Sequence, residues 1–79
     1  MPRTLRTARH RAMCAFLIER RKAAPMTQAE LARKIGRYQS YVADVERGQR
    51  RLDVVEFLEF ADALGFDAGR AIRTLAQTR

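Results

Sequence analysis

The sequence predicts an all-α fold, a compact five-helix bundle with a helix-turn-helix at its centre, as one domain over residues 1–79 with its core at about 7–75. Three observations carry this. Apolar residues recur at the helical interval of three and four, and no stretch alternates as a half-buried strand does. Helix starts are marked by Thr27, with Glu30 three positions on, and by Asp53; their side-chain oxygens can accept from free first-turn N–H groups. Helix stops are marked by Pro25 and by Gly36, Gly48 and Gly65. Proline turns the preceding residue away from the helical region, and glycine takes the left-handed conformation that ends a helix.

The first helix is expected from about Thr7 to Ala24, with Ala12, Met13, Phe16, Leu17 and the stem of Arg20 or Arg21 toward the core. Met26 then tucks under the second helix. That helix begins at the Thr27 cap, turns Leu31, Ala32 and Ile35 inward and Arg33 and Lys34 outward, and ends at Gly36. In the third, Val42 and Val45 form the apolar stripe, Gln39, Ser40, Tyr41 and Asp44 face outward, and Gly48 ends it; the two helices and their turn span 27–48. The fourth starts near Asp53, buries Val54, Phe57, Phe60, Ala61 and Leu64, and stops at Gly65, after which Phe66 plugs the core. The fifth starts near Asp67 or Ala68, is short, and sets Ile72 and Leu75 against Arg70 and Arg73. Residues 1–6 and 76–79 are expected as loose ends.

Charge points to the partner. The net charge is +7 and the pI about 11.0, a balance suited to a polyanion. Residues 1–52 hold 13 Lys or Arg against 4 Asp or Glu, whereas residues 53–79 hold 3 against 5, so only the first two thirds are built to meet phosphates. Fourteen of the 16 cations are Arg, whose planar fork suits phosphate and guanine edges; part of the charge is ordinary solvated helix surface. Cys14 is the only cysteine, so no internal disulfide forms, and His10 has no partners at metal-ligand spacing. His10 is expected at the surface or on the phosphate side, and Cys14 as a partly buried helix residue. One His, one Cys, no paired carboxylates and no Gly-rich phosphate loop argue against an enzyme, and no cofactor or metal is expected. With no secretory or membrane-spanning run, the expected location is cytoplasmic.

The run TQAELARKIGRYQSYVADVERG, from Thr27 to Gly48, resembles the DNA-binding core of the phage repressor and Cro (XRE-type) helix-turn-helix family. Thr27, Gln28, Leu31, Ala32, Gly36, Val42, Val45, Glu46, Arg47 and Gly48 match its pattern, and Val54 to Gly65 resembles its fourth helix. The resemblance covers about Met13 to Leu75 and implies a lambda-repressor-like DNA-binding domain. Two positions depart: Tyr38 stands where the family has a small polar cap, and Asp44 stands at a position used for base contact.

The resemblance implies a sequence-specific regulator of transcription that binds double-stranded DNA, in the simplest case a repressor. Gln39, Ser40 and Asp44 then face base pairs in the major groove, with Tyr41 either on a sugar or thymine methyl or simply covering the helix. Asp44 has two roles open to it, accepting from a cytosine amino group or pairing with Arg37 or Arg47. Gln28 at a helix N-terminus is suited to a phosphate, as are Arg37 and Tyr38 in the turn and Arg47, Gln49, Arg50 and Arg51 after the reading helix. Glu46 is expected to pair with Arg21 and brace the structure. A chain of this length has a marginal core, so a homodimer is expected on a palindromic operator, with Leu58, Phe66, Ile72 and Leu75 as candidate contacts. The alternative is an antitoxin-type or adaptor module of the same fold that acts mainly on a protein; a basic helix over Arg3 to Lys22 lying on a membrane is disfavoured because Met13, Phe16 and Leu17 are needed inside.

Overall fold

A computed structural model describes residues 7–78; the expected loose leading segment and Arg79 lie outside them. Five helices follow in chain order: α1 (Ala8–Ala23), α2 (Gln28–Ile35), α3 (Gln39–Glu46), α4 (Val54–Leu64) and α5 (Ala68–Ala76). Local chemistry accounts for most of the boundaries. Thr27 and Glu30 close a reciprocal capping box at α2, with Thr27 Oγ1 accepting from Glu30 N at 3.0 Å and Glu30 Oε1 accepting from Thr27 N at 2.8 Å. Asp53 and Glu56 do the same at α4. Thr7 and Asp67 cap α1 and α5. Tyr38 precedes α3 with no side-chain cap bond, as expected of a ring where a small polar residue would cap.

Gly36 shows why the turn is sharp. Its φ of 71° is left-handed, a region costly for a residue with a Cβ, and its N–H still reaches back to α2. The chain can therefore turn within three residues, Gly36 to Tyr38, before α3 starts. α1 crosses α3, α4 and α5, while α2 packs against both α3 and α4. The centre is filled by Phe60, Leu17, Leu31, Val42 and Val45, all essentially inaccessible to water. Phe66 sits edge-on to Phe16 at 4.8 Å and to Phe57 at 5.5 Å, tying the α4–α5 turn to α1.

Three expectations are corrected. His10 is not at the surface but 8 % exposed, because α1 lays its Cys14 and His10 side under the loop at Gly48. Cys14 is buried there rather than partly buried, at 6 % exposure, and burial pushes its thiol above the ordinary range. Val54, expected in the core, is 65 % exposed: it keeps helical spacing with Phe57 and Ala61, but as the first residue of α4 it lies at the end of the helix, where the core no longer covers that face. Phe66 is occupied inside the monomer, and Leu75 packs partly against the core, so of the residues expected at a subunit contact only Leu58 and Ile72, 43 % and 45 % exposed, stand free.

Candidate nucleic-acid interface

A chain of polar bonds runs from α1 to the outward start of α3. Arg21 donates from Nε and Nη2 to the two oxygens of Glu46 at 2.6 and 3.0 Å, and from Nη1 to the Met26 carbonyl at 2.8 Å. The pair is shut off from water, with side chains 13 % and 6 % exposed, so the guanidinium and carboxylate satisfy one another where neither could be left alone. Glu46 raises the pKa of Arg21 further by accepting its hydrogen bonds. Glu46 Oε1 also accepts from Gln28 Nε2 at 2.9 Å. Because a carboxylate only accepts, Gln28 must turn its NH₂ to Glu46 and its oxygen the other way. That oxygen takes Gln39 Nε2 at 3.3 Å. Gln39, on the first turn of α3, is thus tied through Gln28 to Glu46 and Arg21, while the residue itself stays exposed.

The other end of the surface is a second cluster. Arg37 from the turn and Arg50 from the loop after α3 lie over the Tyr41 ring at 4.6 and 4.8 Å. Both reach α4: Arg50 pairs with Glu56 at 2.7 Å, and Arg37 with Glu59 at 3.4 Å and Glu56 at 3.7 Å. The Asp53 backbone N–H and then Arg50 hold the Glu56 carboxyl below its ordinary range, against a desolvation that pulls it up. Tyr41 Oη is buried beside the Arg50–Glu56 pair without a well-formed hydrogen bond, and burial raises its pKa. This corrects one expectation. Tyr41 does not face outward with its neighbours; its ring leans on Phe60, 6.2 Å away, and packs against the core.

The remaining site residues are placed as follows. Ser40 and Tyr38 are exposed, Tyr38 at 86 %. Asp44 pairs with Arg47 one turn on, so in the free protein the second of its two open roles is the one adopted, with Arg47 rather than Arg37. Gln49 is exposed, and its backbone N–H closes the end of α3 on the Asp44 carbonyl at 2.9 Å. Arg51 is exposed and forms no ion pair among the described residues. Gln28, expected on a phosphate, has its side chain committed to Glu46 and Gln39, so what α2 offers an anion is its first-turn backbone N–H groups and the positive end of its dipole. Sequence reasoning named neither Glu56 nor Glu59. The Asp53-to-Glu56 spacing, a capping-box pattern, was the available signal for the first. Among the described residues no His, Cys, Asp and Glu cluster could hold a metal ion, and no helix is long and apolar enough to cross a membrane.

A short capped helix, a left-handed glycine and a second helix with a braced polar start form a helix-turn-helix, and the helix-turn-helix domain family matches residues 3–75. A solved XRE-family-like protein from Pseudomonas syringae pv. tomato is 42% identical, with a TM-score of 0.84 over 94% of this chain and 90% of that one. The chain belongs to the XRE-type helix-turn-helix family. The chain is also similar to the solved restriction-modification controller protein C.AhdI from Aeromonas hydrophila, 41% identical with a TM-score of 0.64 over 75% of this chain and 80% of that one. Among curated proteins nothing matches the chain. The helix-turn-helix family match takes in both polar clusters, from Arg21 to Glu59, and so the whole surface described above.

Proposed function

We propose that this XRE-type protein is a transcription regulator that binds double-stranded DNA as a homodimer, reads a palindromic operator with α3, and represses by occupying the promoter. The observation that carries this is Gln39. One N–H of its amide is held by Gln28, which Glu46 holds in turn, while the residue itself is exposed, and a pre-oriented amide can make the paired bonds that select adenine. Ser40 and Asp44 extend the reading edge, with Arg47 released from Asp44 to phosphate or kept to hold it. Arg51, Gln49 and the α2 N-terminus supply backbone contacts. The likeness to a protein described as a restriction-modification controller supports a regulatory output. Its work is binding rather than catalysis, without cofactor, in the cytoplasm.

The dimer reading rests on Leu58 and Ile72, which the monomer leaves open, and on the need for two reading helices to reach useful selectivity. The test is selection of binding sites from random duplex DNA followed by titration of the winning site. An inverted repeat with half-sites about one helical turn apart, bound by two chains, is expected. Recovery of no preferred sequence, with DNA bound equally whatever its composition, would overturn the reading.

A further inference from the structure

α1 and α5 line an open groove of about 420 Å³ to which no residue assigned above to DNA contributes. Its volume falls within the roughly 300–1,000 Å³ of small-molecule sites. Phe16, Phe66 and Leu75 give it an apolar body, and Arg20, Arg70 and Thr74 give it polar groups. Arg20 is set over the Phe66 ring at 6.0 Å. Its Nε is buried and donates to nothing, a state that leaves the cost of desolvating an N–H unrecovered. Among the described residues no carboxylate comes within ion-pair distance of Arg20 or Arg70. Asp67 also lines the groove, but its oxygen is taken by the Arg70 backbone N–H at 2.9 Å as the α5 cap, and Arg73 approaches the same side of Gly69. The two guanidiniums therefore leave the groove net positive over an aromatic floor.

We propose that this groove binds a small aromatic carboxylate, with the carboxylate on Arg20 and Arg70 and the ring against Phe16, Phe66 and Leu75. A guanidinium recognises a carboxylate through two parallel bonds, and the edge-to-face Phe16–Phe66 pair at 4.8 Å offers a third ring an aromatic face. The inference does not rest on the DNA-reading residues, since it uses neither α2 nor α3.

Titration of the isotope-labelled protein with 2-naphthoate, followed by amide NMR shifts, tests it. Saturable shifts are expected along residues 12–20 and 66–78, with the neutral isostere 2-naphthamide at least about tenfold weaker for want of the charge-assisted bonds. Arg20→Gln should weaken naphthoate by about the same factor. Thr74→Trp, a change at an exposed lining residue, should fill the groove and abolish the shifts while leaving the helical spectrum intact. No saturable shift at millimolar naphthoate, equal binding of the amide, or full binding by Thr74→Trp would each overturn the proposal. So would concentration-dependent shifts of the same amides without any naphthoate, because a second copy of the chain would then be the occupant.

Discussion

Gln39 owes its usefulness to what lies behind it. A free glutamine on a helix samples many rotamers and loses that freedom on binding a base; here Gln28 holds one amide edge, Glu46 holds Gln28, and Arg21 holds Glu46. Gln39→Ala should therefore cost about 1–3 kcal/mol on the preferred operator and flatten preference at one base pair per half-site, with non-specific binding kept. Competition against operators mutated one base pair at a time measures this, and unchanged discrimination would show that α3 is read in a different register. Glu46→Ala is the harsher change. It strands a guanidinium that is 13 % exposed, and removing one partner of such a pair costs about 3–5 kcal/mol, which chemical denaturation would register as a large fall in stability.

At the scale of elements, α4 is held to the helix-turn-helix by Phe57, Phe60, Ala61 and Leu64 in the shared core, and its first turn adds charge and stacking. Glu56 closes the capping box on Asp53 and takes Arg50, while Arg37 and Arg50 bracket Tyr41. Glu56→Gln keeps the shape and loses the ion pairs, and because Arg50 is 44% exposed water screening limits the loss to about 1 kcal/mol. The pH dependence follows in sign. The folded-state pKa of Glu56 lies below its unfolded value, so the stabilisation is complete above about pH 5 and is lost as pH falls through the folded value. Urea midpoints of wild type and variant should differ at pH 7, and the gap should narrow as the pH falls below the ordinary carboxylate range; a gap that does not narrow in acid would mean that Glu56 acts through packing alone.

For the whole molecule, the charge is uneven, and on the proposed reading the basic first two thirds meet DNA while the remainder forms the subunit contact. Affinity should fall with salt at a log-log slope of roughly −0.9 per phosphate neutralised. Arg51→Ala should lower the slope by about one unit with no change in melting, since Arg51 has no ion pair among the described residues. Arg50→Ala should lower melting as well, since Arg50 also holds α4. On the other side, Ile72 is the cleaner probe of the dimer, being 45 % exposed where Leu75 is drawn into the core. Ile72→Asp should give a folded monomer that binds a half-site weakly and loses most affinity for the full operator. Sedimentation decides: a wild-type protein that stays monomeric at tens of micromolar, bound singly per operator, would remove the dimer from the model.

What the sequence determined by itself is the set of helices and their ends. Thr27 with Glu30, Gly36, Asp53 and Gly65 act through bonds that span only a few residues, so the chain need not be folded for their meaning to be read. The Arg21–Glu46 spacing was legible too, though only through resemblance, because its partners stand 25 residues apart. The tertiary structure decided the rest, and for one reason: a side chain between two helices takes its partner from the crossing of those helices, which periodicity does not encode. Gln28 meeting Gln39 across 11 residues, Arg37 and Arg50 closing on Tyr41, His10 sinking under the Gly48 loop and Val54 remaining outside all follow from that packing. Capping chemistry is local and survives in the one-dimensional string; mutual orientation of helices is a property of the packed core, and the outward edge of Gln39 and the groove between α1 and α5 exist only once that core has formed.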